Sequence, residues 1–421
     1  MLGGGRAARL VDRVAHSPAW VLPLVTTFAV YLVVGASVGT KVGHTGDPGA
    51  LIVPGSKFVA YDLLPPNTYV YPRDGYDGQI FFYLAQDPLL TGKVASRDQI
   101  HSPRIGAVAY RYQRILLPAL GWLTSWGHPR VLEWTLPLIN LFAVLGAGFL
   151  LARFLAARRR SPWLSLVYML SLGVVAGFVN DLADPLAASL FVAGVIWWVE
   201  ERPAAAIAAL TLCLLARELY LIPVASVVLL ELVRRRRRGA AWLVPLAVFA
   251  AWQIYLRLAL AAPVVPEEAA RPSPIPLLGA VRKIHAVLQS DYLGAANWEL
   301  LFVALLLLMA LTFLIRSLGV LDRARRLRAL PDRETLLPLV ALASVATVPF
   351  LTKELWNYIP SYARYCAPAA GMLVLLYAIS RDRAVRLLMV GLMALTLTNP
   401  VVALLPISNQ PSVQVPPPPP P

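Results

Sequence analysis

The stretch AAAIAALTLCLLARELYLIPVASVVLLELV, residues 204–233, decides how the whole chain is laid out. It is apolar throughout except for Arg217 and Glu218 at its middle and Glu231 near its end. One helix of this length would run about 45 Å at 1.5 Å per residue. It would also bury two charges midway, each costing about 2.5–3.5 kcal/mol on insertion scales. Every later loop would then change sides and carry its basic cluster with it. Two short helices, bent so that Arg217 and Glu218 reach the outer interface, avoid both penalties. The sequence predicts two.

Working outward from that bend, apolar segments recur at 19–40, 131–152, 162–180, 185–199, 204–217, 219–233, 240–260, 298–316, 335–352, 365–380 and 384–405. A spanning helix needs about 20 mostly apolar residues. The expected fold is therefore all-α: a polytopic transmembrane helical bundle of about 11 spans, with a long outer loop after the first helix. Composition agrees, since 58% of the 421 residues are hydrophobic and 14% are charged, against roughly 25% charged in soluble domains. The run from Ala19 to Gly39 follows Arg6, Arg9 and Arg13 and is long for a signal-peptide core, so it reads as a retained helix.

Charge sets the orientation. Under this layout more than half of the 38 basic residues share the side of the N-terminus, including Arg158–Arg160, Arg234–Arg238, the group Arg323 to Arg333, and Arg381, Arg383 and Arg386. Cytoplasmic loops carry such an excess, so the N-terminus is expected inside. Most acidic residues fall on the other side. The same clustering between apolar segments argues against nucleic acid as the partner of a chain with net charge +15. Residues 1–405 form one bundle, with outer segments 41–130 and 262–297, and residues 406–421 are a Pro-rich tail. Within the first outer segment, AYRYQRILLPALGWLTSW (109–126) is too short to cross and reads as interfacial or re-entrant, with Trp122 and Trp126 at headgroup depth. Cys213 and Cys366 both lie in apolar runs, and the five histidines are scattered, so neither a disulfide framework nor a His/Cys metal site is expected. No internal repeat is evident, which weighs against an inverted-repeat transporter.

The richest chemistry lies in YPRDGYDGQIFFYLAQDPLL, residues 71–90. A carboxylate at the interface, from Asp74 or Asp77, can act as general base or bind a divalent cation; turn and N-cap roles are the plainer alternative. In YRYQRILLP (110–118), Arg111 and Arg114 are three apart and share a helical face. They suit a lipid phosphate, or simple snorkelling. NDLADP (180–185) supplies Asp181 and Asp184, the latter also a candidate cap before Pro185. ARELY (216–220) supplies Arg217 as a second phosphate candidate and Glu218, with mutual pairing as the plainer role. KELWNYIPSYARYCAP (353–368) offers Lys353, Tyr362 and Arg364 for sugar stacking and phosphate capture, or an aromatic belt.

With these motifs the chain resembles the bacterial integral-membrane glycosyltransferases of the GT-C class, particularly the branch with YDGQ-aromatic followed by YRYQRILLP. The likeness covers residues 71 to about 233 and extends loosely onward. It implies an essential acidic residue in the first outer loop, which falls on Asp77 with Asp74 as the nearer alternative. It also implies a second acidic site on the next outer loop, at Asp181, that assists metal or acceptor binding. The adjacent Asp-Glu pair of some GT-C families is absent.

The expected activity is inverting transfer from a polyprenyl-phosphate-linked sugar to a cell-envelope glycan, lipid or protein acceptor. Its site would face outward from the bacterial plasma membrane. A divalent ion such as Mg or Mn is compatible with Asp77 and Asp181. A transporter or flippase for a lipid-linked glycan is the alternative, and a structural or assembly subunit the third reading. Ionisable residues gathered at one interface favour the enzyme, because alternating access wants them near the midplane.

Overall fold

The computed structural model describes residues 19–39, 46–57, 59–72, 75–89, 108–260, 273–289, 293–351, 355–356, 359–365 and 367–398. Among them the chain is all-helical, with two isolated β-bridges and no strand. The helices are α1 (Val21–Ser37), α2 (Gly78–Leu84), α3 (Val108–Tyr112), α4 (Leu116–Ser125), α5 (Pro129–Ala157), α6 (Leu166–Met169), α7 (Leu172–Phe178), α8 (Asp184–Val199) and α9 (Pro203–Ala216). They continue as α10 (Leu221–Arg235), α11 (Val244–Leu260), α12 (Leu278–Leu288), α13 (Leu293–Leu327), α14 (Arg333–Val345), α15 (Ile359–Tyr365), α16 (Ala367–Ser380) and α17 (Arg383–Thr398).

The deciding stretch does break where its charges fall. Helix α9 ends at Ala216, Arg217 is extended at φ −159° and ψ 124°, and a 3₁₀ turn over Glu218–Tyr220 leads into α10. Two helices replace one.

Helix α8 is the axis of the bundle. Its sequence has no polar face, as expected of a helix enclosed on all sides, and all but Leu190 and Trp197 are buried. It packs on α5, α7, α9 and α16. The outer helices invert this pattern. Val25, Phe28, Leu32 and Val33 of α1, Trp134 and Phe142 of α5, and Leu308, Leu311 and Ile315 of α13 are all exposed. A soluble monomer rarely shows so much contiguous apolar surface, and lipid is its natural solvent. Four helical segments, Pro129–Ala157, Gly239–Ala259, Glu299–Leu327 and Arg333–Phe350, are long and apolar enough to cross a membrane. Val21–Ser37, Asp184–Val199, Pro203–Ala216 and Ala367–Ser380 are apolar but shorter.

Three boundaries differ from the sequence layout. The segment 162–180 is not one helix: a 3₁₀ turn at Pro162–Ser165, α6 and α7 divide it, with Ser171 extended between the last two. Non-helical backbone at such depth persists only where protein satisfies it, and the Tyr31 hydroxyl donates to the Met169 carbonyl at 2.7 Å. Helix α13 runs well beyond 298–316, to 35 residues. An i,i+4 pair, Asp322–Arg326 at 2.8 Å, supports its last turns. The segment 41–130, expected to lie outside the bundle with interfacial helices, packs into the core where it is described. Residues 50–53 are buried, as is every residue of α2, so this segment is part of the core. By contrast α4, at 10 residues, is about 15 Å long and too short to cross, as expected. The tail 406–421 lies outside the described residues.

The basic clusters meet at one end of the bundle. Arg158 pairs with Glu334, Arg234 donates to the Pro331 carbonyl at 3.1 Å, Arg160 to that of Ala378 at 3.4 Å, and Arg316 pairs with Asp382. At the same end a buried clasp joins Arg333 to Glu231 (2.7 Å) and Glu201 (2.8 Å), with Trp198 Nε1 donating to Glu231 at 2.9 Å. The residues of interest gather at the opposite end, where α2, α8, α10 and α16 begin and α7, α9 and α15 finish.

Candidate functional site: two joined clusters of arginine and carboxylate

Asp77 precedes α2, a position that suits a capping residue, yet its side chain makes no cap hydrogen bond. Two guanidiniums hold it instead. Arg111 donates from Nη2 (2.8 Å) and Nε (3.1 Å) to Asp77 Oδ1, and Arg114 Nη1 stands 3.5 Å from Oδ2. The i,i+3 spacing of the two arginines brings both to one carboxylate, and neither snorkels to lipid. Arg114 is further fixed by Glu218, through Nη2–Oε1 at 2.6 Å and Nε–Oε2 at 2.9 Å. This is the two-pronged geometry that guanidinium and carboxylate favour. The Tyr110 hydroxyl closes the cluster, accepting from Arg114 at 3.0 Å and donating to Glu218 at 3.2 Å.

The second cluster centres on Asp184. This residue opens α8 beside Pro185 but caps nothing; its Oδ2 takes Arg217 Nη1 at 2.5 Å and lies 3.5 Å from Arg364 Nη1. Arg217 and Asp184 are each only 2% exposed. Each arginine lies over an aromatic ring, Arg217 over Tyr365 at 5.5 Å and Arg364 over Tyr76 at 5.2 Å. The Nε atoms of both arginines, and Arg364 Nη1, are buried without a hydrogen-bond acceptor.

Two pairs of chain neighbours join the clusters: Tyr76 with Asp77, and Arg217 with Glu218. Close backbone approaches hold the frame. A Cβ on Gly78 would collide with the Asn180 carbonyl oxygen, so glycine lets α2 meet the loop before α8. A Cβ on Gly173 would strike the Ala363 carbonyl oxygen, so glycine lets α7 meet α15 beside Arg364.

The electrostatics follow from this wiring. Burial pushes the Asp77 carboxyl up, but the guanidiniums of Arg111, Arg114 and Arg364 outweigh it and hold the group well below the usual carboxylate range. For Glu218 burial is likewise outweighed, chiefly by Arg114, and the carboxyl is held down to about 2. Asp181 behaves oppositely. It is wholly buried in a left-handed turn (φ 48°), its oxygens make no hydrogen bond, and burial alone drives its carboxyl far up.

Of the residues singled out from sequence, Asp77, Arg111, Arg114, Asp184, Arg217, Glu218 and Arg364 come together. Asp181 joins neither cluster. Tyr362 is buried between Trp356 (5.1 Å) and Phe302 (5.5 Å). Asp74 and Lys353 lie outside the described residues. Sequence reading missed Tyr110, Tyr365 and Ser361, whose hydroxyl is 3.3 Å from that of Tyr76. Tyr110 was within reach of pattern reasoning, being i,i+4 to Arg114. Among the described residues no three His, Cys, Asp or Glu gather. In addition, the Asp77 charge is already met by two arginines, while Asp181 stands apart.

No family model matches the chain, and comparisons with characterised proteins and with solved structures return no match. The reading of function therefore rests on the geometry.

Proposed function

We propose that the chain is an inverting glycosyltransferase that takes its sugar from a polyprenyl-phosphate donor at the outer face of the bacterial plasma membrane. The bundle would cross about eleven times in a GT-C-like arrangement, with the N-terminus and the basic end in the cytoplasm. The acceptor would be a cell-envelope glycan, lipid or protein. One observation carries this reading. Arg217 and Arg364 are buried together and share the carboxylate of Asp184, with guanidinium N–H groups left unmatched. Unpaired buried donors are costly, and a phosphate supplies the missing charge and acceptors in a shape guanidinium fits.

The residues divide the chemistry between them. Arg217 and Arg364 bind the donor phosphate and stabilise it as it departs. Asp77 takes the proton of the acceptor hydroxyl. The acceptor oxygen bonds to the anomeric carbon from the face opposite the phosphate. The carbon–oxygen bond to phosphate breaks, and its electron pair leaves with the polyprenyl phosphate. A carrier would instead place charged groups near the midplane, whereas these gather at one end of the bundle.

The test uses the full chain in proteoliposomes, with labelled polyprenyl-monophosphate sugars and an envelope extract as acceptor. Wild type should release polyprenyl phosphate and move label into the extract, and Asp77→Asn should lower that by about a hundredfold or more. Label that crosses the bilayer still joined to its lipid, equally in both proteins, would establish the carrier reading instead.

A further inference from the structure

A carboxylate gripped by two guanidiniums is a poor base, and Asp77 is gripped. Arg111 gives it two hydrogen bonds and Arg114 stands at 3.5 Å, while Glu218 takes the remaining strong contacts of Arg114. The first cluster thus has the donors of a phosphate site with its own carboxylates seated in them. The second cluster is different, since its donors are left over. The two lie side by side through Tyr76–Asp77 and Arg217–Glu218, so an anion held by Arg217 and Arg364 arrives next to Arg111 and Arg114.

On the reading above, we infer that Arg111 and Arg114 form a second phosphate-binding pair, occupied by Asp77 and Glu218 until a lipid phosphate displaces them. Phosphate oxygens then accept the N–H groups that Asp77 gives up, and the freed carboxylate turns to the acceptor hydroxyl. Donor binding and base activation become one event. An empty site carries no strong base near the donor position. Asp77 is the part able to move: it is 24% exposed, against 3% for Arg114, and it is tied by no cap bond to α2.

Removing either carboxylate should then tighten anion binding without any gain of contacts. The probe is geranylgeranyl phosphate, a polyprenyl monophosphate without sugar, titrated against the full chain in zwitterionic nanodiscs. Geranylgeraniol and inorganic phosphate serve as separate arms to distinguish lipid-tail binding and free-anion binding from capture of the lipid phosphate. Asp77→Asn and Glu218→Gln should each tighten binding of the lipid phosphate by about tenfold, the scale of one charge-assisted hydrogen bond. Arg111→Gln should weaken it by a similar factor. Both carboxylate variants are near-isosteric, and an unchanged melting profile in either one shows that its affinity is read on a folded protein. Wild-type binding that neither variant tightens would overturn the competition and leave the donor site standing. Failure of every form to bind the lipid phosphate would overturn the donor site itself.

Discussion

Arg217 and Glu218 are neighbours in the chain, yet they serve different clusters: Arg217 Nη1 meets Asp184 at 2.5 Å, and Glu218 grips Arg114 at 2.6 and 2.9 Å. Successive residues of a regular helix already point about 100° apart. Here the extended backbone at Arg217 opens them further. The break that divides the long apolar run is the same break that wires the site.

Asp184→Asn is expected to be among the most destabilising isosteric changes in the chain. It leaves two buried guanidiniums without their shared counter-charge, and breaking a buried pair from one side costs about 3–5 kcal/mol. Thermal unfolding in detergent should show a clear drop. An unchanged melting point would mean that the arginines are neutralised by something else.

Asp181→Asn should stabilise the protein, and more so as pH rises. Its folded carboxyl is raised far above the ordinary value of 3.8. The unfolded chain therefore ionises first, and stability falls as pH climbs above about 4. Asparagine removes that penalty and tolerates the left-handed turn. Melting curves at about pH 5 and pH 8 should diverge between the two proteins. A variant that is more stable but inactive would mark Asp181 as a functional group kept at a cost in stability.

Glu218 should act with the opposite sign. Its carboxyl falls from 4.5 in the unfolded chain to about 2 in the folded one. The stability it contributes is complete above about pH 4.5 and drains away as pH falls toward 2. Glu218→Gln should flatten that part of the acid unfolding curve. A variant that retains the wild-type acid slope would show that other carboxylates set it.

In a background with Cys213 and Cys366 replaced, a cysteine introduced at Arg234 should react only with reagents that cross the membrane, and one at Asp62 with impermeant reagents. The expectation rests on the shared end of the basic clusters. Labelling of position 234 from outside intact cells would invert the topology.

Much of the helical layout was legible because apolar runs separated by charged and turn residues mark helices directly, and the break at Arg217 followed from the cost of a buried charge. A meeting of Arg114, Arg217 and Arg364 follows from the same cost, since each arginine in an apolar setting demands a partner; that Arg111 joins them does not follow from it. Which partner was not legible. Asp77 and Asp184 both sit at helix starts, where a cap and an ion pair leave the same sequence trace, and only tertiary packing separates them. The interruption at Leu170–Ser171 was hidden because its compensation, the Tyr31 hydroxyl, comes from α1. The burial of α2 was hidden because its polar flanks read as loop, while Gly78 and Asn180 draw it inward.

The Asp184–Arg217 pair has a consequence for biogenesis. Helices α8 and α9 are consecutive and pack closely, and the pair ties together the open ends of this hairpin. Two charges that would each resist entry into lipid can thus enter as a neutral unit, made from residues synthesised within seconds of one another at typical rates of about 5–20 residues per second. Arg364 emerges far later and has to find Asp184 already taken. It docks as the second cation on an occupied carboxylate, so the surplus positive charge of this cluster is the last one installed. A nascent chain released before α15 would carry the Asp184–Arg217 pair in balance, and the surplus cation would arrive only with nearly the whole bundle in place.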